Sequence, residues 1–370
     1  MTNQLSNNNN LKRIFILGAG SSISHNNSFP SIIDFFSKAK ELGINIEKNL
    51  PELQKYVLGN FNIDVTSRKN KVNIETILTQ LEIDLERSHD TSLQIIRDRI
   101  LELIQSVLAK LTERIIDKEG DLNKFSTCLT SSDTILTFNW DILLDNLLGR
   151  EKVLKAIYNK GNIPSQNCYH HFIHQLSAHG EANWGGLSVS PPYKEWNNQN
   201  GFFLKMHGSI DWIFCNNDLC RAFGKGFLAP SIGQPLYCSN CHEPVYPLLI
   251  PPVLNKQYRR YHLIRRIWNT AFKEIEIADE IIIWGYSLPE TDFYSAWLLR
   301  NARKKPIKTL TLINPDVIKG TKEKRANKKF IEKFSNIYEG ILNKDSINLF
   351  ESFNDFLNDV NVKNKYAIKL

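Results

Sequence analysis

Short apolar runs that end directly in glycine or polar side chains are the feature that most constrains this chain. They begin the segments "RIFILGAGSS", "DTILTFNWD", "FFLKMHGS", "EIIIWGYSLPETD" and "TLTLINPD". Apolar runs without polar alternation are typical of parallel strands that are buried on both faces. Helical patterns lie between the runs, so we predict an α/β fold with a Rossmann-like, doubly wound parallel sheet. In such folds the loops at the carboxyl ends of the strands bind the ligand.

The segment between the first two runs has a different pattern. Residues 72–117 carry apolar side chains with a period near 3.6, which predicts two long amphipathic helices. We expect 50–125 to form a helical insertion within one domain that spans 12–370, after a disordered tail over 1–11. The pattern leaves open whether the two helices form an oligomer interface or cover the core.

Composition and charge limit the classes of protein to be considered. The chain has 370 residues, of which 42% are hydrophobic, and this predicts a folded globular protein. No export signal is recognisable and no run approaches the roughly 18 apolar residues that span a bilayer, so we expect a cytoplasmic protein without membrane contact. The net charge is +7, and its basic excess lies in 251–370. That excess is typical either of solvated helix faces or of contact with nucleic acid or an acidic protein surface.

Four of the six cysteines form two pairs separated by a loop, at Cys215, Cys220, Cys238 and Cys241. Disulfides are rare in cytosolic proteins, so the spacing favours a structural Zn²⁺ held tetrahedrally by four thiolates. The alternative is a cluster that holds no metal. We assign 210–250 to a small zinc-ribbon module. Because four thiolates complete such a site, His207 at the end of "FFLKMH" is either a general base or a polar residue at a strand end.

Glycine and polar side chains follow the first two runs. Gly18, Ala19 and Gly20 come after the first run, where a backbone without bulky side chains can approach a pyrophosphate closely. An ordinary tight turn is the alternative. Asn139 and Asp141 follow the second run and suit ribose hydroxyls, a water or a carboxamide, although Asp141 is also placed to cap the next helix.

Similar motifs follow the last two runs. Gly285 and Ser287 suit a contact to a phosphate or a ribose, unless the segment is only a turn in which Thr291 or Asp292 caps the next helix. Asn314 ends the last run, where doubly wound folds often bind an adenosine ribose. Asn followed by Pro is equally a plain turn signal.

The order of these motifs resembles the sirtuin (silent information regulator) superfamily. The matching series is Gly-Ala-Gly-x-Ser, Thr-x-Asn-x-Asp, His-Gly, two cysteine pairs, Gly-x-Ser-Leu, and an Asn after a strand, and it covers most of 13–316. The resemblance implies a sirtuin-like NAD-binding domain over 12–370, with NAD⁺ as substrate and Zn²⁺ as a structural ion.

The resemblance also implies individual roles. Asn139 matches the residue that positions the nicotinamide ribose and a water, Asp141 a contact to the nicotinamide carboxamide, and His207 the catalytic general base. The matches to contacts with the rest of NAD⁺ are Gly18, Ala19, Gly20, Ser22, Gly285, Ser287 and Asn314. The first four match the pyrophosphate loop, the next two a later NAD-contacting loop, and the last an adenosine-ribose contact. The four cysteines match the zinc ribbon of the family.

Three departures separate the chain from the protein deacylases of the family. Phe138 stands where they have Gln, and "NSFPSIIDFF" stands where they have Gly-Ile-Pro-Asp-Phe-Arg. The sequence "CHEPVYPLLIPPVLNK" replaces a segment to which the acyl-lysine peptide adds as a strand, and prolines lack the backbone donors for that pairing. The motif set looks more like the bacterial sirtuin-like domains of antiphage defence systems, which are NAD⁺ hydrolases.

This closer resemblance implies cleavage of the nicotinamide glycosidic bond to give nicotinamide and ADP-ribose, with depletion of NAD⁺ in antiphage defence. We expect a homo-oligomer. A separate HerA-type ATPase or Argonaute-like protein is the expected sensor, because the chain has no GxxxxGK[ST] loop of its own. The alternatives are an NAD-dependent protein deacylase and a non-catalytic, nucleic-acid-associated scaffold.

Overall fold

The computed structural model describes most of the chain outside 149–200. The described residues are 11–67, 72–88, 90–130, 132–148, 201–223, 226–229, 232, 236–238, 240–251, 261–290, 292–302, 305–319, 325–338 and 346–359. The first ten residues of the expected tail lie outside these ranges. In the described part of the chain, no helix combines the length and the apolarity that crossing a membrane requires.

The strands of the described residues form three sheets. In chain order they are β1 (Arg13–Leu17), β2 (Thr134–Thr137), β3 (Phe203–Lys205), β4 (Gly208–Cys215), β5 (Gly226–Leu228), β6 (Val245–Leu249), β7 (Glu280–Trp284), β8 (Thr309–Ile313), β9 (Ile318–Lys319), β10 (Arg325–Ala326) and β11 (Ile347–Phe350). A six-stranded sheet has the order β11-β8-β7-β1-β2-β3, and every neighbouring pair in it is parallel.

Numbered along the chain, these six strands lie in the spatial order 3-2-1-4-5-6, which is the doubly wound arrangement. The predicted fold class is therefore confirmed. The strand order reverses between β1 and β7, and in such sheets a crevice opens outside the carboxyl ends of the strands at this point. Both strands are buried along their whole length, as their apolar runs predict.

The helices of the described residues lie mainly in the connections between the parallel strands. They are α1 (Ala19–His25), α2 (Phe35–Glu41), α3 (Ile46–Asn49), α4 (Pro51–Phe61), α5 (Ile74–Ser88), α6 (Thr91–Ile115), α7 (Asp121–Thr127), α8 (Leu143–Leu147), α9 (His262–Glu276), α10 (Phe293–Asn301), α11 (Lys328–Ser335) and α12 (Phe353–Asn358). Short 3₁₀ turns occur at Pro315–Val317 and Asn336–Tyr338.

Helices α5 and α6 are the two amphipathic helices predicted for 72–117. Asp90 caps the start of α6, where its side chain accepts a hydrogen bond from the backbone N–H of Ser92. The apolar stripe of α6 is buried, and Gln105 donates to the carbonyl of Ile210 in β4 over 2.6 Å. These helices therefore cover the core, and α6 packs on the second sheet as well.

That second sheet is antiparallel, with the order β5-β4-β6, and it begins where the parallel sheet ends. Gly208 makes the change of direction, because its φ of +79° is in the left-handed region and a Cβ there would lie 1.9 Å from the carbonyl oxygen of Leu248. Strand β6 contains Pro247 and lies at an edge of this sheet, where a proline is tolerated. The proline-rich segment thus forms a strand, although prolines lack the backbone N–H donors that pair strands.

One element of the described residues differs from the sequence expectations. Strand β11 was not predicted, since its four residues are half-buried or exposed at the edge of the sheet and lack the continuous apolar run of the other strands.

Two loops cross in direct contact at the point where the strand order reverses. The N–H of Gly18 donates to the carbonyl of Trp284 over 3.1 Å, and the N–H of Gly20 donates to the carbonyl of Gly285 over 2.9 Å. A Cβ on Gly18 would lie 2.6 Å from the carbonyl oxygen of Gly285, and one on Gly20 would lie 2.7 Å from its Cα. Glycine is required at these positions by the approach of one backbone to the other.

A comparison of two glycines tests this contact. Gly285 and Gly43 both have positive φ, of +64° and +77°, but a Cβ on Gly285 would lie 2.3 Å from the nitrogen of Ser21, whereas one on Gly43 would meet nothing within 4 Å. We expect Gly43→Ala to lower the free energy of unfolding by roughly 1 to 2 kcal/mol, which is the cost of the left-handed conformation. Gly285→Ala should cost about 3 kcal/mol or more, since steric overlap is added. The free energy of unfolding is measured by urea denaturation. If the two substitutions lowered it by the same amount, the close contact between the loops would be contradicted.

Candidate active site

A cleft of about 400 Å³ opens beside the crossing loops. The ten residues that the sequence singled out for catalysis or NAD⁺ contacts all line it, although they come from five separate parts of the chain: Gly18, Ala19, Gly20, Ser22, Asn139, Asp141, His207, Gly285, Ser287 and Asn314. The loop after α1 and the first turn of α5 close the opposite wall. The doubly wound sheet therefore brings the predicted motifs together at one place.

His207 lies at the junction between β3 and β4 and is 3% exposed. Its carbonyl oxygen accepts from the indole N–H of Trp140 over 3.1 Å and from the backbone N–H of Ile250 over 2.8 Å. The chain can turn directly after it because Gly208 has no side chain. The backbone of His207 is thus held from two sides, and its imidazole faces the cleft.

Aromatic rings and one carboxylate surround this imidazole. The ring of Phe138 meets it edge to face at 5.0 Å, and the ring of Trp268 lies 6.4 Å away in a nearly parallel orientation. Phe138 also stacks on Tyr286 at 4.3 Å. The Nε2 atom of His207 lies 3.5 Å from Oδ2 of Asp292. The imidazole is therefore placed in a mainly apolar wall with a carboxylate beside it.

Asn139 is held by its amide nitrogen. Nδ2 donates to the carbonyl of Gly18 over 3.0 Å and lies 3.2 Å and 3.1 Å from the hydroxyl oxygens of Ser21 and Ser22. Among the described residues no group donates to its Oδ1 atom. An amide fixed through nitrogen with its oxygen at a cleft can accept a hydrogen bond from a water or a ribose hydroxyl.

Asp141 is buried below Asn139 and has two partners. Its Oδ2 accepts from the hydroxyl of Ser22 over 2.7 Å, and its Oδ1 accepts from the N–H of Leu143 at the start of α8 over 3.1 Å. Asp141 thus bonds to the first residue of α8, although Ile142 and not Asp141 holds the N-cap position, and it also links this segment to the first loop. The carboxylate still lines the cleft.

Lys205 supports this network from the end of β3 and was not singled out from the sequence. Its buried Nζ donates to the carbonyl of Asp141 over 2.5 Å and to Oδ2 of Asp145 over 2.9 Å. Burial raises the pKa of Asp145, while the ammonium of Lys205 opposes that shift. The pair fixes the backbone that carries Asn139 and Asp141.

Asn314 and Ser287 lie at the other end of the cleft. The side-chain oxygen of Asn314 accepts from the N–H of Asp316 over 2.9 Å, so the residue does form the turn that Asn-Pro suggests. The carbonyl of Ser287 accepts from Nζ of Lys333 over 2.9 Å. Both residues remain at the cleft wall, and Asp316 lines it beside them.

The described lining of the cleft carries negative charge and no lysine or arginine. Its carboxylates belong to Glu75, Asp141, Asp292 and Asp316. A cationic group is favoured in such a lining, whereas an anionic group has to rely on backbone N–H donors.

Sequence reasoning did not assign four titratable residues to the lining of the cleft: Glu75, Tyr286, Asp292 and Asp316. Glu75 resembles an ordinary acidic residue in the first turn of a helix, and Asp292 an ordinary cap. Asp292 does precede α10, but its side chain makes no capping hydrogen bond and accepts instead from the hydroxyl of Tyr286 over 2.7 Å. Burial and the nearby Asp292 raise the pKa of Tyr286 well above its usual range. Thr291, the other expected cap, lies outside the described residues.

The four clustered cysteines lie in the module around β4 and β6, away from the cleft lining. Their sulfur atoms are all within 4.8 Å of one another. The distance is 3.6 Å between Cys215 and Cys241 and 3.5 Å between Cys220 and Cys238. Tetrahedral Zn–S bonds of ~2.3 Å imply sulfur separations of ~3.8 Å, so the four thiolates fit a structural Zn²⁺.

The local backbone shapes this cluster. The N–H of His242 donates to the carbonyl of Cys238 over 2.7 Å, with His242 at a φ of 61°, and this tight turn brings Cys238 and Cys241 together. The backbone N–H of Glu243 lowers the pKa of Cys241 to about 7, whereas burial raises that of Cys215. A zinc ion here would have four sulfur ligands and no open position for catalysis.

Comparison with known proteins gives only distant likenesses. No protein-family model matches the chain, and no curated protein sequence matches it. Among solved structures, it is similar to a mutant Sir2 homologue in complex with ADP-ribose, with 12% identity over 89% of this chain and 92% of that one, and a TM-score of 0.35. It is also similar to a mutant Sir2 homologue in complex with 2'-O-acetyl ADP ribose, with 13% identity over 98% of this chain and 96% of that one, and a TM-score of 0.41. A third similar structure is a Sir2 homologue in complex with NAD, with 14% identity over 90% of this chain and 91% of that one, and a TM-score of 0.38. Likenesses this distant assign no function to the chain.

Metal analysis of the purified protein tests the cysteine cluster. We expect about one zinc ion per chain, because four thiolates at these separations form a closed structural site. Cys238→Ser should lose the metal and lower the melting temperature, whereas Cys128→Ser should retain it, since Cys128 lies outside the cluster. Elemental analysis by mass spectrometry measures the content, and a metal-free wild-type protein would refute the site.

Proposed function

We propose that the chain is an NAD⁺ hydrolase of the sirtuin superfamily, which cleaves the nicotinamide glycosidic bond of NAD⁺ to give nicotinamide and ADP-ribose. One observation carries the proposal. Asn139 and His207, which follow two different strands, line one cleft with the glycine loops at the reversal point of a doubly wound sheet. Nucleotides bind at this point in such sheets.

The reaction needs an oriented water and a base. The C1'–N1 bond of the nicotinamide ribose breaks, its electron pair leaves with neutral nicotinamide, and a water oxygen forms the new bond to C1'. Oδ1 of Asn139 would accept a hydrogen bond from that water, since its amide nitrogen is already held by the carbonyl of Gly18. His207 would take the proton that the water loses, because histidine titrates near neutral pH.

The charge of the lining supports this chemistry. Nicotinamide in NAD⁺ is cationic, and the transition state of glycosidic cleavage has positive charge on the ribose. The carboxylates of Glu75 and Asp141 in the same cleft favour both. No lysine or arginine stands in the described lining, and the N–H groups of Gly18 and Gly20 already donate to Trp284 and Gly285. The pyrophosphate would therefore be bound by other backbone N–H groups at the start of α1, which the small side chains of the glycine loops let it approach.

Two substitutions test the assigned roles. His207→Ala should lower the rate of ADP-ribose formation from NAD⁺ by roughly 10²- to 10⁴-fold, which is the usual loss when a general base is removed. Asn139→Ala should lower the same rate by about 10²-fold, because the water that gives up its proton is no longer held in position. The rate is measured by chromatography of the products under the conditions that activate the wild type. Circular dichroism checks that both variants are folded.

Matched controls use the same residue types outside the cleft. His242→Asn keeps a residue that tolerates positive φ, and Asn301→Ala removes an exposed amide that bonds only to the carbonyl of Trp297 in its own helix. Both should retain wild-type turnover. If His207→Ala or Asn139→Ala kept that turnover too, the role given to that residue would be wrong.

The rival function is an NAD-dependent protein deacylase, which one observation favours. Strand β6 is an edge strand of the described antiparallel sheet, and a peptide can add to such an edge. Pro247 removes one backbone donor from this edge, and that counts against peptide addition.

An assay with and without an acyl-lysine peptide distinguishes the two functions. We expect the protein to consume NAD⁺ without peptide and the peptide to leave the rate unchanged within about twofold, because water is the proposed acceptor. NAD⁺ consumption and peptide deacylation are followed together by mass spectrometry. Turnover that requires the peptide, with the acyl group transferred to ADP-ribose, would refute hydrolysis.

The proposal includes the biological setting that the sequence resemblance implies. In that setting a cytoplasmic homo-oligomer depletes NAD⁺ in antiphage defence after a separate HerA-type ATPase or Argonaute-like protein senses infection. The motif set with "GYSLPETD" supports it. Contact with nucleic acid would use the basic carboxyl-terminal third, where Lys328, Lys329 and Lys333 lie on α11.

A further inference from the structure

Asp292 is a buried carboxylate that the proposed mechanism has not used. It is 0% exposed, although it lies in the wall of the cleft, and it directly precedes α10. Its side chain makes no capping hydrogen bond to the backbone N–H groups of that helix. A buried carboxylate is costly unless other donors compensate it.

Two hydroxyl donors and one imidazole nitrogen surround one oxygen of this carboxylate. The hydroxyl of Tyr286 donates to Oδ2 over 2.7 Å, and the hydroxyl of Ser295 donates to the same atom over 2.5 Å. Nε2 of His207 lies 3.5 Å from it. The two hydroxyl groups fix the carboxylate, so its negative charge is held beside the imidazole.

We propose that Asp292 is a positioning residue for His207, which holds the imidazole ring and stabilises its protonated form when His207 takes a proton from the attacking water. The inference rests on the proposed function for the role of His207. A carboxylate at this distance in a buried place favours the imidazolium strongly over the neutral ring. Because Asp292 itself is fully buried, it acts through His207.

Other titratable groups face the same cleft from the elements packed around His207. Tyr286 follows β7, Glu75 begins α5 and Asp141 follows β2. Helix α9 presents the neutral ring of Trp268. The carboxylate of Asp292 is the charged group recorded as an ion-pair partner of His207, with 3.5 Å between Oδ2 and Nε2. Its removal therefore changes the charge next to the base while the rest of the lining is kept.

Two substitutions should move the titration of His207 in opposite directions. Asp292→Asn removes the charge and should lower the midpoint of the His207 titration by roughly one pH unit or more, since the imidazolium loses its stabilising partner. Ser295→Ala removes a donor from Oδ2, leaves more negative charge for the imidazole and should raise the midpoint. The exposed Glu290 lies on the same loop outside the cleft lining, so Glu290→Gln should leave the midpoint unchanged.

The midpoint is measured on the full chain by NMR of histidine labelled with ¹⁵N, with the His207 signal assigned by its loss in His207→Ala. The acidic limb of the pH profile of kcat/KM for NAD⁺ is the second readout. Hydrolysis needs neutral His207, so a lower midpoint moves this limb to lower pH in Asp292→Asn. The limb of Ser295→Ala should move to higher pH.

The outcomes separate this inference from the proposed function. Midpoints that stay at the wild-type value in both variants would overturn the role of Asp292, even if Asp292→Asn were less stable. Should Asp292→Asn fail to fold, the sign of the shift in Ser295→Ala decides. If the midpoint shifts but the protein never consumes NAD⁺, the role of Asp292 beside His207 is supported and the proposed hydrolase function is rejected. If the protein hydrolyses NAD⁺ but the midpoints do not move, the hydrolase function is supported and the role of Asp292 is rejected.

Discussion

The contact between the loops after β1 and β7 is the constraint on which the rest of the site depends. The N–H groups of Gly18 and Gly20 donate to the carbonyls of Trp284 and Gly285, and the two loops are too close for a Cβ on either glycine. The carbonyl of Gly18 also holds the amide of Asn139. On the other side, the chain continues from Gly285 to Tyr286 and Asp292, which lie beside His207. One backbone crossing thus sets the separation of the two walls of the cleft.

Strand β4 connects His207 to the cysteine cluster. His207 directly precedes this strand and Cys215 ends it, and all eight residues of the strand are buried. Gln105 of α6 binds its backbone, and β5 and β6 pair with its two edges. The cysteine module therefore lies at the far end of the strand that follows His207, so the cluster and the cleft share one buried element.

Much of this arrangement could be predicted from local sequence signals. Five of the six parallel strands, the helices α5 and α6, the cysteine cluster and the residues at the strand ends follow from apolar runs and spacing. Asp292 could not be found in this way, because a residue before a helix is normally its cap, and only the tertiary structure turns its side chain to Tyr286 and His207. The same holds for Glu75, which an insertion helix delivers to the cleft. Strand β6 was obscured by Pro247, whose place at a sheet edge is not visible in sequence.

The central position of β1 has a consequence for the synthesis of the protein. Arg13 pairs with Glu280, so the second neighbour of β1 is translated more than 260 residues later. The cleft itself needs residues as late as Asn314 and Asp316. A growing chain therefore carries an apolar strand with one unpaired edge for most of its translation, which exposes it to aggregation and makes folding slow. An incomplete chain also lacks a closed cleft, because a product released before the end of β8 has none of the wall that Asn314 and Asp316 supply.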